Sequence, residues 1–153
     1  MNMPTAHTEM LIRCAPAEVF DAFVDPQRIR QFWLRDTSGP LAPHARVEWD
    51  FMVPGARDTV AVTAFEVNRR IAFDWSDGQS VDMRFHAHGV RATRIAVTVS
   101  GFVGDDAAAH AIDATEGFAI VLCDLKSLLE TGASGGMVRD KAALIAQRHA
   151  AKR

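Results

Sequence analysis

His86 and His88 stand two residues apart, a spacing that places two imidazoles on one face of a strand, close enough to share a metal ion. The surrounding alternation makes that face the polar, outward one, and no third ligand lies at metal-site spacing, so no metal centre is expected. A cyclase or hydrolase needs an acid or base aimed into a dry interior, with its pKa set by burial. The candidates for that role are few: Glu66, if its strand bulges, and Arg35 or Asp36 at the mouth of a pocket. The chain carries no nucleophile elbow, no phosphate loop and no Cys–His signature, and neither a catalytic residue nor a cofactor is assigned. Cys14 and Cys123 lie far apart and outside any Cys-x-x-Cys pattern, which suits a reducing compartment and packing roles. The remaining chemistry is aromatic. Trp33, Trp49, Phe51, Phe73, Trp75, Phe85 and Phe118, with Leu122, are the candidate ligand-binding residues, and each taken singly also reads as plain core.

Composition narrows what these residues serve. The chain has 153 residues, 48% hydrophobic and 24% charged, the balance of one ordinary globular domain. Its 17 basic and 19 acidic side chains leave a net charge of -2, so no electrostatic footprint for nucleic acid is present. Apolar runs are broken within a few residues, too short for a membrane span, and Met1–Thr8 reads as no export signal. A cytoplasmic location is expected.

The elements that must position the aromatics follow from hydrophobic period. His7 to Arg13 alternates as a strand. Ala15-Pro16 ends it, and Val19, Phe20, Phe23 and Val24 recur at helical spacing until Asp25-Pro26 interrupts them. Ile29, Phe32 and Trp33 predict a second short helix, and Thr37 to Ala45 predicts a loop. Five strand-like runs come next. Val47, Trp49 and Phe51 alternate in the first. Val60 and Val62 fall out of phase with Phe65 and Val67 in the second, a conflict that a bulge resolves. Ile71, Phe73 and Trp75 share a face in the third, and Asp77-Gly78 signals a hairpin into Val81, Met83 and Phe85. Ile95, Val97 and Val99 make the last run.

Beyond Gly104 the period becomes helical. Asp105 or Asp106 is placed to accept from free N–H groups at the start. Phe118, Leu122, Leu125 and Leu129 form the stripe of a long helix from about Asp113 to Thr131, and Gly132 ends it. Val138, Ala142 and Ile145 mark an appended helix running to His149, Lys152 and Arg153, divided from residues 1–136 as a tail over 137–153. The fold class is therefore α+β: a curved antiparallel sheet of about six strands around a long C-terminal helix, with a short helical pair after the first strand. Large rings on its inner face either fill the interior or line a pocket beside the helix.

Three stretches carry a resemblance. IRCAPAEVFDAFVDPQRIRQFW from Ile12 to Trp33, the run Phe65 to Trp75, and EGFAIVLCDLKSLLETG from Glu116 to Gly132 occur in one order. Together they resemble START-like proteins of the SRPBCC superfamily, in particular the Activator-of-Hsp90-ATPase-homologue-1-like group. The likeness runs up to Gly132, and the tail after Gly136 is extra to it. Phe32-Trp33 stands where that group usually has two tryptophans, and Val67-Asn68 where it has hairpin prolines. The resemblance implies a helix-grip fold of the START/Bet v1 type with a cavity between sheet and long helix. The co-chaperone that names the group has a separate chaperone-binding domain, for which a chain of this length is expected to have no space.

The expected function is non-catalytic binding of a small apolar molecule between sheet and helix. Two alternatives stand beside it. One is a cyclase or hydrolase in the same cavity, resting on fold analogy. The other is a stress- or chaperone-linked interaction module, in which the apolar edge of the tail covers a partner or a second copy of the chain as a homodimer.

Overall fold

Pro16 and Pro26 each open a short helix, where a missing N–H removes no hydrogen bond. The computed structural model describes residues 3–151, and Met1, Asn2, Lys152 and Arg153 lie outside the described residues. Strand β1 (Ala6–Ile12) leads into α1 (Pro16–Val24) and α2 (Pro26–Ile29). Asp25 separates the two helices with an extended backbone, and its carboxylate accepts the N–H of Gln27 at 2.9 Å. Phe32 and Trp33 come after α2 in a turn instead of extending it, so the second helix is shorter than its apolar spacing predicts.

Then come β2 (Leu34–Thr37), β3 (Arg46–Phe51), β4 (Arg57–Glu66), β5 (Arg70–Asp74), β6 (Ser80–Ala87) and β7 (Thr93–Ser100). They form one seven-stranded sheet in the order β1-β7-β6-β5-β4-β3-β2, antiparallel throughout and unclosed. The additional strand is β2. It is short and pairs Leu34 with Phe51 and Thr37 with Trp49 across an irregular register. Only its first residue, Leu34, is buried, and Arg35, Asp36 and Thr37 give no apolar alternation, so an edge strand this brief shows no period.

The phase conflict in β4 resolves as the residues require. The register shifts between Val62 and Ala64, which turns Phe65 inward against Phe20 at 5.3 Å and leaves Glu66 exposed. Glu66 therefore offers no inward acid. On the concave face Val47, Trp49, Val60, Ile71, Phe73, Met83, Phe85, Ile95 and Val97 are buried.

Helix α3 (Ala107–Thr131) starts a turn and a half before the expected onset and ends at Gly132, whose φ of 86° is the left-handed conformation glycine tolerates. Asp106 occupies the N-cap, but its side chain makes no capping hydrogen bond. Phe118, Val121, Leu122 and Leu125 are buried against the sheet. The C-terminal half of α3 is tied to the open edge of the sheet. Lys126 Nζ donates to the Leu11 carbonyl at 2.6 Å and to Glu130 Oε2 at 2.6 Å, and the Arg13 N–H donates to Glu130 Oε2 at 2.9 Å. The two cysteines are half-buried, and Cys14 Sγ faces the Leu129 carbonyl at 3.5 Å.

Helix α4 (Met137–Ala151) packs back on α3. Ala142 is its buried residue, and Lys141 meets Glu116 of α3 at 2.6 Å. Among the described residues no helix is long and apolar enough to cross a membrane.

Candidate functional site

Trp49 anchors the aromatic cluster. It is 1% exposed, and its ring makes edge contacts with Trp33 at 4.9 Å, Phe73 at 5.4 Å, Trp75 at 5.7 Å and Phe51 at 6.4 Å. Such edge-to-face pairs hold ring orientation as well as burying area. β3 supplies Trp49 and Phe51 at alternate positions, and β5 supplies Phe73 with Trp75 just past its end, so period 2 aims all four at one side of the sheet. Trp33 arrives from the turn after α2 and meets Phe118 of α3 at 5.6 Å.

In front of this cluster lies a recess of about 350 Å³, open to solvent. Phe51 of β3, Trp75 just past β5 and Trp33 from the turn after α2 form one wall, and the β3–β4 turn adds Met52, Val53 and Ala56. Ala114, Gly117, Phe118 and Val121 bring in α3. The outer wall is α4, through Val138, Lys141, Ala142 and Ile145. Gly117 matters by what it lacks: a Cβ there meets nothing within 4 Å, so open space lies over that turn.

The eight candidate residues therefore divide. Trp33, Phe51, Trp75 and Phe118 border the recess, whereas Trp49, Phe73, Phe85 and Leu122 do not and are packed behind it. Phe85 belongs to a second cluster, 5.3 Å from Phe20 and 6.0 Å from Phe23. Sequence reasoning missed the contributions of the β3–β4 turn, Gly117 and α4. The 138, 142, 145 apolar edge and a glycine in mid-helix were the signals available for two of them.

The charged groups lie elsewhere or at the rim. Asp36 pairs with Arg30 at 3.2 Å in an exposed position, and Arg35 is exposed. His86 and His88 are exposed, and no group of three or more metal-ligating side chains gathers among the described residues. Among the described residues Lys141 alone brings a charge into the lining. Its hydrogen bond to Glu116 holds that carboxyl below the usual carboxylate range, with Arg148 adding a smaller pull in the same direction.

An inward-facing acid does exist, and its partners fix its role. Asp124 of α3 is 1% exposed. It accepts from Ser134 Oγ at 2.6 Å, Gly135 N–H at 3.0 Å and Val138 N–H at 3.1 Å. The carboxylate thus meets the first turn of α4, where free N–H groups and the helix dipole favour a negative charge.

The model of the family described as Activator of Hsp90 ATPase homolog 1-like protein matches residues 13–130. The chain belongs to this family.

Solved structures carry the same fold as this Activator of Hsp90 ATPase homolog 1-like chain. Protein SSP2350 from Staphylococcus saprophyticus is 25% identical, with a TM-score of 0.77 over 86% of this chain and 95% of its own. The Aha1 dimer from Colwellia psychrerythraea is 20% identical, with a TM-score of 0.74 over 85% of this chain and 98% of its own. CalU16 from Micromonospora echinospora is 14% identical, with a TM-score of 0.68 over 96% of each chain, a coverage that reaches into α4. No curated protein matches the chain. Within the Activator of Hsp90 ATPase homolog 1-like match itself, residue 130 is the last, so the wall formed by α4 lies beyond it.

Proposed function

We propose that this family member binds a small apolar molecule, without transforming it, in the recess between the sheet, α3 and α4. The carrying observation is the lining. Trp33, Phe51, Trp75 and Phe118 border a volume of about 350 Å³, and among the described residues only Lys141 brings a charge to it. That volume lies in the range of small-molecule sites, and rigid aromatic walls bind apolar surface with little side-chain ordering. General acid–base work needs a titratable group within reach of the bound molecule. Lys141 is held in a charged hydrogen bond to Glu116, and Asp124 is occupied by three hydrogen bonds outside the lining, so the reading is a binder. A cytoplasmic setting belongs to the same proposal and is supported by two unpaired thiols.

Thermal shift and native mass spectrometry against a panel of bicyclic and tricyclic hydrocarbons test it. A ligand at a hundred times its dissociation constant raises stability by about 2.7 kcal/mol, which moves the melting point by several degrees. No shift across the panel, with no mass adduct, overturns the proposal.

A homodimer is a second reading, favoured by one observation: the Colwellia psychrerythraea relative of the same fold is described as a dimer. Light scattering across a concentration series decides it, and a constant monomer mass excludes it.

A further inference from the structure

Among the described residues Lys141 is the one group in the lining that makes a directed, charged hydrogen bond, and its place is specific. Its stem lies along the recess beside Ala142 and Ile145, while its ammonium reaches Glu116 at 2.6 Å. Glu116 is not in the lining, and its side chain is 57% exposed, against 25% for Lys141. The carboxylate can therefore turn away into water with little loss, since exposed ion pairs contribute weakly. The ammonium, by contrast, stays against the recess wall because its stem is packed there. Arg148, two turns further along α4, adds positive potential to the same rim.

From this we infer that the occupant is an amphipathic organic anion: an aromatic or alicyclic body in the recess, with one carboxylate replacing Glu116 on Lys141. The inference rests on the proposed binding site and names its ligand class. Exchange of one carboxylate for another keeps the charge-assisted hydrogen bond of Lys141, while the body removes Trp33, Phe51, Trp75 and Phe118 from water. A neutral carboxamide of the same shape offers Lys141 a weaker, uncharged acceptor and does not replace the ion pair that Glu116 makes with it.

Isothermal titration of the intact chain with 2-naphthoate and with naphthalene-2-carboxamide separates the two contributions. The carboxylate is expected to bind at least about tenfold more tightly in low salt, and the advantage shrinks as salt screens the rim. Lys141→Met keeps the apolar stem, and should reduce that ratio to near one. Glu116→Gln takes the charge from the internal competitor and should strengthen naphthoate binding several-fold, more than it strengthens carboxamide binding. Thermal melts of both variants verify that α4 stays docked. Equal affinity of the two probes for the unaltered chain overturns the anion preference but leaves an apolar site standing. A tenfold preference that survives Lys141→Met overturns the role of Lys141. Binding of neither probe overturns the site as well.

Discussion

Asp124 accepts the Val138 N–H at 3.1 Å, so a buried carboxylate on α3 fixes the first turn of α4 and, through it, the outer wall of the recess. The same side chain accepts from Gly135 N–H and Ser134 Oγ, which closes the connection between the two helices. The family's matched region stops at residue 130, yet the recess takes its outer wall from α4, which begins at Met137.

Asp124→Ala should therefore lower stability by about 2–3 kcal/mol, because it leaves three donors without their charged acceptor. Hydrogen exchange is expected to accelerate in 137–151 far more than in the sheet. Protection in α4 equal to that of the unaltered chain would show that apolar packing alone holds the helix.

Gly117→Leu should fill the recess from its floor. A helix-interior glycine is disfavoured by about 1 kcal/mol against leucine, and the new Cβ enters open space, so stability holds or rises. Affinity for the carboxamide probe should fall at least about tenfold, converted from loss of roughly two buried methylene equivalents of contact. Unchanged affinity in a well-folded variant would place binding elsewhere.

Trp49→Ala and Trp75→Ala should part company. Trp49 is fully buried among four rings, and its truncation should cost about 3–5 kcal/mol in a urea titration. Trp75 is half-buried at the recess wall, so its truncation should reduce probe binding with a smaller stability loss. Equal destabilisation by both would mean that the wall is simply core.

Glu130 provides a pH test. Its carboxyl lies below the ordinary 4.5 because Lys126 hydrogen-bonds it first and the Arg13 N–H second. A depressed native pKa means that the unfolded chain binds the proton more readily, so the stabilisation is complete above about pH 4.5 and fades as pH falls through the native value. Glu130→Gln should be less stable than the unaltered chain at pH 7, and the two urea midpoints should converge as pH falls through the depressed native value. Parallel midpoints across that range would remove the ion pair from the causes of acid unfolding.

The β4 bulge and the β2 edge illustrate how legibility divides. The out-of-phase Val62 and Phe65 announce a register shift, because a strand whose apolar residues change parity must gain a residue to keep them on one face. Leu34–Thr37 announces nothing, because four residues with a single buried side chain, Leu34, are too few to show a period. For the site, Trp33, Phe51, Trp75 and Phe118 carried an apolar signal that their equally apolar neighbours Trp49 and Phe73 carried too.

By itself the sequence determined the sheet's apolar face, the long helix that covers it, the turns between strands and the likeness to one family. Those are set by alternation, helical period and turn residues, all properties of neighbours along the chain. Only the tertiary structure decided that four of the aromatics border open volume while the others are sealed behind them. It likewise placed α4 as a wall and Asp124 as its anchor. A recess exists where surfaces from distant segments fail to meet, and period tells which way a side chain points but not what arrives opposite it.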